Sequence, residues 1–587
     1  MKDLSVRAIS ACLLGSIAWT LPSPAMANTS AEYYSARINQ SSVPELLNKA
    51  DREFYSELFH ALDREDWSRF ETMITERPDG PLHQVALAEY YTAANSPKVS
   101  AEQVAAWFER GTLLPQAEQM GRLGAKRGLE TLPALPTERG FQRQPYSSKR
   151  ILPRTVNDGT MPDSIRSGIL DRIKNDDPDG ARLLLDGIDA GLSSEARAEW
   201  RQRVAWSYYI ENNDPSALAM AQTVSEGSGP WVAEGEWVAG LAAWRLGDCE
   251  ASAQAFARAA AGSTNVELTT AANFWAGRAF MRCRKPGDAD KYLRAAARYD
   301  ETLYGMLAHE LLGIELPAQV AAADFSPQDW KELRDEPNVR VAVGLVEIGR
   351  ESLADEVLRH QARIGDPSEY NALSRLARDL GLPSTQLWMA HNAPYGAKPE
   401  PALRYPTAKW TPTTGWKVDP ALAFAHALQE SNFQTRAVSP ANARGLMQIT
   451  PITVRQHAGR LEMNASYVNL NDPEVNLAFG QRNLEMLRDS EATQGLLPKI
   501  MAAYNAGLSP VSRWNSEIND QGDPLLWMES IPYWETRGYV AIVMRNYWMY
   551  ERQAGAISPS RQALAQGMWP IFPDLSSSRM AGLNRKN

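Results

Sequence analysis

The run Trp237-Val238-Ala239-Gly240-Leu241-Ala242-Ala243-Trp244 is echoed further on by Trp275-Ala276-Gly277-Arg278-Ala279-Phe280-Met281, and this echo decides the fold class. Both runs are apolar on nearly every side and lack the alternation of a strand, so they read as helices buried among other helices. Their Ala and Gly positions let neighbouring helices approach closely. Around them Asp177-Pro178, Asp214-Pro215, Gly247-Asp248 and Gly287-Asp288 each follow one apolar helical stretch and precede an Ala-rich one. At each, the Asp is expected to cap the following helix. The acidic positions 177, 214, 248 and 288 recur every 34 to 40 residues, a period that means helical hairpins stacked into a superhelix. An all-α fold is therefore predicted, with a superhelical scaffold over 28–330, ring closure left open, and a helical linker domain over 331–400. Cys249 and Cys283 fall near the ends of adjacent hairpins. A disulfide there is sterically reasonable, the alternative being two buried thiols.

Working outward, 587 residues exceed what one core can organise. A net charge of −9 argues against a nucleic-acid partner, since phosphate binding needs a basic field. Residues 1–27 read as a cleavable export signal. Lys2 and Arg7 precede the apolar stretch Ala8 to Leu21, Pro22-Ser23-Pro24 breaks it, and Ala25-Met26-Ala27 offers a small-residue cleavage site. Cys12 sits too early in that stretch for lipoprotein processing. No later segment reaches the ~20 apolar residues of a membrane span, so a periplasmic location is expected. Two cysteines without neighbouring histidines make a poor zinc site, and no metal or cofactor is called for.

Prolines mark the boundaries. Pro133, Pro136, Pro153 and Pro162 make 131–163 an extended strap. Pro394, Pro399, Pro401, Pro406, Pro412 and Pro420 forbid continuous helix, which places the start of a final domain, 401–555, among them. Residues 556–587 are expected to be a tail.

That domain opens with Ala421-Leu422-Ala423-Phe424-Ala425-His426-Ala427-Leu428-Gln429, a helix apolar on nearly every face and hence central. Glu430 comes directly after it, and Ser431-Asn432 favour ending the helix. Burial and the negative end of the helix dipole both disfavour a charge at this position. Both push Glu430 above the usual carboxylate range, toward that of a general acid. On these residues alone, a solvated Glu at a fraying helix end is at least as good a reading. His426 lies four residues earlier on the same face, either tuning the acid or packing in the core.

The motifs downstream of the acid narrow the choice. Glu430-Ser431, Gly445-Leu446-Met447-Gln448, Ala503-Tyr504-Asn505 and Glu535-Thr536-Arg537-Gly538-Tyr539 occur in this order. Together they resemble the soluble lytic murein transglycosylases over about 401–555, while the helical remainder fits that family's scaffold in character only. The resemblance implies a goose-lysozyme-like α-helical domain. It also implies cleavage of the β-1,4 bond between N-acetylmuramic acid and N-acetylglucosamine, leaving a 1,6-anhydro end. Glu430 would act as acid and then as base. Ser439 would be a hydrogen-bond partner of Glu430 or of the substrate, and Met447 and Gln448 would line the sugar groove. Tyr504, beside Asn505, would hold the muramoyl N-acetyl group, and Glu535 would contact glycan or its peptide. The other reading of Glu535 is an ion pair with Arg537.

Retaining glycosidases normally need a second carboxylate about 5 Å away, a need that substrate assistance by the N-acetyl group removes. Asn442-Ala443-Arg444 departs from the family's usual small-residue turn; Asn tolerates left-handed backbone, whereas Arg444 is bulky and charged. The expected partners are peptidoglycan strands and wall-remodelling proteins, with the chain itself a monomer. Two other classes stay open on the sequence, a water-using muramidase and a non-catalytic scaffold.

Overall fold

A computed structural model describes residues 29–573 apart from 39, 145 and 318–322, together with residue 575. The export signal expected over 1–27, Cys12 included, lies outside the described residues. Helix dominates from Ser30 onward, as predicted. Among the described residues the only sheet is one short antiparallel pair, Phe141–Arg143 against Asn392–Pro394. No described helix is long and apolar enough to cross a membrane.

The repeat is a row of hairpins running from Asp163–Lys174 and Pro178–Asp186 to Val266–Arg282 and Pro286–Ala297. Each hairpin turns at a residue in the left-handed region, namely Asp176, Asn212, Gly247 and Arg284. The capping expectation holds at two turns. Asp177 accepts from the Gly180 N–H, and Asp248 from the Ala251 N–H. It fails at the other two. Asn213 caps in place of Asp214, whose carboxylate instead faces the buried Arg245. Pro286 starts the fourth helix early, so Asp288 lies inside its first turn. The large residues of the echo, Trp237 and Trp275, are both fully buried. Cys249 and Cys283 are joined in a disulfide linking adjacent hairpins, with Cα atoms 5.5 Å apart.

The scaffold does not run as one uninterrupted stack. Helices between Lys49 and Lys126 share a core with those between Pro327 and His391, built on Leu58, Phe59, Trp107, Val343 and Leu376. Leu46 and Leu47 donate their backbone N–H groups to the Glu347 carboxylate at 2.6 and 2.9 Å. Asn338 reaches the Leu113 carbonyl at 2.8 Å. Thus 331–400, expected as a separate linker, is where the scaffold closes back onto its first helices. The strap over 131–163 contributes one strand to this closure.

The second core runs without a break from the hairpins into residues 405–572. Polar contacts lock the junction. Tyr209 and Arg245 both bond Ser530, Tyr304 donates to Glu529 at 2.5 Å, and Arg278 pairs with Asp523 at 2.6 Å. The segment from 556, expected as a tail, is folded as far as residue 573. It carries the helix Pro559–Ala565, buries Leu564 and Phe572, and pairs its backbone with Gly495 and Leu497. The segment is short and its apolar residues are widely spaced, so its periodicity gives no sign of this.

Candidate active site

The helix Pro420–Ser431 is started by Asp419, which accepts from the Ala421 N–H. Every residue from Pro420 to Ala427 is buried, as the all-round apolar pattern demands. It packs along the long closing helix Trp534–Gln553. Asn432 in the left-handed region ends it, and Ser431 ties the end to the Leu446 carbonyl at 2.8 Å. Glu430 is therefore fixed at the mouth of the domain core, partly buried and partly open.

One of its oxygens is held. The Tyr539 hydroxyl donates to Glu430 Oε1 at 2.6 Å, and His426 Nδ1 lies 2.8 Å from that same hydroxyl. Tyr539 has one proton, so while Glu430 is a carboxylate the imidazole must donate from Nδ1–H. This tautomer leaves the buried His426 Nε2 as an unpaired acceptor, the less costly of the two orphans. Burial pushes Glu430 up to about 7, and the negative charge of Glu535 adds to the rise, while the Tyr539 hydrogen bond pulls the other way. Burial holds His426 down at about 3, so it is neutral. A carboxyl that titrates near neutrality can both give and take a proton.

Around this pair the loop 432–449 is pinned by glycine. Gly445 has φ +73°, and a Cβ there would lie 2.2 Å from the Asn476 amide and 2.3 Å from the Leu470 carbonyl oxygen. Asn442 is also left-handed, a conformation that Asn tolerates, and Arg444 folds back to its side chain at 3.1 Å.

The other expected site residues divide. Tyr504 packs against His426 in a tilted arrangement, with ring centroids 4.6 Å apart, and donates to the Met447 carbonyl at 2.8 Å. Gln448 is half-buried, and its amide donates to the carbonyls of Ala437 and Gly445. Asn505 accepts from Thr536 at 2.7 Å, which ties its helix to the closing helix. Glu535 is exposed on the first turn of that helix, within electrostatic reach of Glu430. One expectation needs correcting, and of the two partners expected for Ser439 one falls away. Met447 is fully buried with its sulfur against Gly480 and packs rather than lining open space. Ser439 does not hold Glu430; its hydroxyl accepts from the Ala443 N–H within its own turn. The partner of Glu430 is Tyr539, a residue of the last motif to which the sequence assigned no role. No ion pair joins Glu535 to Arg537, whose guanidinium lies against Trp206 instead. Beside the end of the Glu430 helix opens a cavity of about 540 Å³. It is bounded by Trp410 and Phe433 on one side and by Arg359 and His360 of the scaffold on the other.

Residues 411–526 match the family described as the Transglycosylase SLT domain. The chain is 35% identical over 135 residues to the soluble lytic murein transglycosylase of Escherichia coli K12, and 34% identical over 135 residues to that of Salmonella typhimurium. These alignments cover 22% of this chain and only 20% of either relative, so the chain matches about a fifth of their length. Among solved structures, the 70 kDa soluble lytic transglycosylase from E. coli superposes over 89% of this chain and 99% of its own. The TM-score is 0.53 and the identity 16%, a likeness of fold. A 70-kDa soluble lytic transglycosylase in complex with bulgecin A gives a TM-score of 0.52 at 16% identity, with the same coverage.

Proposed function

From the premise that residues 411–526 are a transglycosylase SLT domain, we propose that the chain cleaves peptidoglycan glycan strands without consuming water, and that Glu430 is the residue that moves the proton. The observation that carries this reading is the state of Glu430. It is a lone carboxyl, held at one oxygen by Tyr539 and raised by burial to about 7. As the acid it gives its proton to the glycosidic oxygen as the C1–O bond of N-acetylmuramic acid breaks. As the carboxylate it then takes the proton of the muramoyl C6 hydroxyl, whose oxygen bonds to C1. The products are a free 4-hydroxyl and a 1,6-anhydro end, and the enzyme returns to its starting protonation state. The substrate's N-acetyl group stabilises the positive centre in between, which suits a site whose other carboxylate, Glu535, is exposed at the rim.

The geometry supports distinct roles for the neighbours. Tyr539 orients Glu430, and His426 orients Tyr539. Tyr504, within reach of the charge on Glu430, faces the N-acetyl group. Gln448 and Ser439 meet the sugar chain, Asn505 steadies the wall that carries Tyr504, and Glu535 meets glycan or peptide at the mouth. We assign the catalytic unit to 401–555 and the periplasm as its compartment. Mass spectrometry of muropeptides released from purified sacculi tests the reaction class. Anhydro ends support it, and products heavier by one water identify a hydrolase instead.

A further inference from the structure

Where the superhelix meets the closing helix lies a second cavity, of about 170 Å³, among Trp206, Trp231, Trp237 and Trp534 with Leu170 at its rim. Three cations line it, and two are neutralised. Arg150 bonds Glu234 at 2.8 Å, and Arg203 bonds Glu199 at 2.8 Å. Arg537 is different. Only 8% exposed, its side chain makes no hydrogen bond or ion pair to any described residue, with Glu529 and Glu234 within electrostatic reach but bonded to other groups. Its guanidinium lies over two indoles instead, 4.0 Å from the Trp206 ring centre and 5.2 Å from that of Trp534.

The unpaired polar atoms point one way. Every buried, unpartnered polar atom on the lining residues is a donor: Arg537 Nε, Arg150 Nε and Trp237 Nε1. The side chain of Gln202, a residue 6% exposed on the same wall, also has no hydrogen-bond partner among the described residues. Buried donors without acceptors are costly, and more so for a charged group. Consistent with that cost, burial brings Arg537 down to about 10. A guanidinium lying over aromatic rings can still offer its N–H edge to a carboxylate in the bidentate manner. The walls of Leu152, Leu170, Ile173 and Pro532 ask for an apolar group next to that carboxylate. A cavity near 150 Å³ holds a molecule about the size of benzene, which limits the enclosed part to one or two small residues.

We propose that this cavity is a binding site for the C-terminal carboxylate of a short peptide ending in small apolar residues, with Arg537 as its anion-binding group. It contains none of the groups that act on the sugar, so it stands apart from the cleavage reading.

Titration calorimetry on the full chain tests it without any glycan present. The probes are N-acetyl-D-alanyl-D-alanine, its L,L enantiomer and the carboxamide of each. Binding of an acid at least tenfold tighter than its amide is expected. A preference for the D,D form points to wall peptide as the source, and for the L,L form to an ordinary protein terminus. Arg537→Met should weaken the acid at least tenfold and Arg537→Lys less, because an ammonium keeps the charge but not the fork. Leu170→Trp, which fills the rim from an exposed position, should block binding with Arg537 intact. The proposal is overturned if neither acid binds, if acid and amide bind alike, or if a folded Leu170→Trp or Arg537→Met protein binds as the wild type does.

Discussion

The Tyr539 hydroxyl donates to Glu430 Oε1 across 2.6 Å while lying 2.8 Å from His426 Nδ1. His426 and Glu430 are neighbours on one helix, and Tyr539 comes from the helix packed against it. The pair of helices therefore carries a three-member chain ending on the carboxyl that is to move the proton. Tyr539 acts on that carboxyl by stabilising its charged form, against the burial that disfavours it.

Removing the hydroxyl with Tyr539→Phe takes away the one contact that lowers Glu430, so the alkaline limb of the kcat/KM profile should move to higher pH. Losing one hydrogen bond of about 1.5 kcal/mol lowers the optimal rate on the order of tenfold. His426→Leu leaves Tyr539 a poorer donor. It should shift the same limb in the same direction by less, with the fold intact because an unpaired buried nitrogen is also removed. A pH–rate series on both variants checks this; an unmoved limb in both means the chain has no part in tuning the acid.

Glu535 works with the opposite sign. Its charge raises Glu430, so Glu535→Gln should bring the alkaline limb down in pH. Since Glu535 is exposed, the shift should shrink as salt is raised to about 1 M, where the Debye length is near 3 Å. A shift upward, or one indifferent to salt, would contradict the placement of Glu535 near the acid.

The same burial appears as a stability effect. Glu430 titrates at about 7 when folded and near its ordinary 4.5 when unfolded. Between those values the folded state holds the extra proton, so stability falls as pH rises through that window and levels off above it. Glu430→Gln cannot ionise and escapes the penalty. Relative to wild type it should gain roughly 2 kcal/mol more at pH 8 than at pH 5, read by denaturant titration at the two pH values.

The Cys249–Cys283 bridge spans a sequence separation of 34. Loop-closure entropy for a ring of that size is worth about 3–4 kcal/mol. Replacing both cysteines by alanine should lower stability by up to that amount and remove any response of the wild-type protein to reductant. Because the bridge lies in the hairpins, turnover below the unfolding transition should be unaffected.

Legibility in the sequence tracks the range of the interactions. Local signals are readable: the Ala- and Gly-rich helices around Trp237 and Trp275, the prolines that end them, and Glu430 at the end of an apolar helix. The spacing of His426 and Glu430 puts them on one face, but nothing local says that Tyr539 lies across from both, more than a hundred residues away. Ser439 is close in sequence to the acid and reads as a natural partner, yet its hydroxyl accepts from the Ala443 N–H within its own turn and is not bonded to Glu430. Met447 reads as groove-lining from its motif, whereas Gly480 opposite makes room for its sulfur in the core. Closure of the scaffold through Glu347 on Leu46 and Leu47 is longer in range still, and periodicity carries no trace of it. Arg537 stands in the last motif of the domain with Trp534 one turn before it, but only the fold brings Trp206 of the superhelix against it.

The central claim is that Glu430 itself transfers the proton, and digestion of purified sacculi by a folded Glu430→Gln protein meets it most directly. The substitution keeps the size of the side chain and an oxygen that can accept from Tyr539 while removing the transferable proton. The account predicts glycan binding comparable to wild type with turnover lowered by at least about a hundredfold. A folded Glu430→Gln protein that releases muropeptides at the wild-type rate would contradict it.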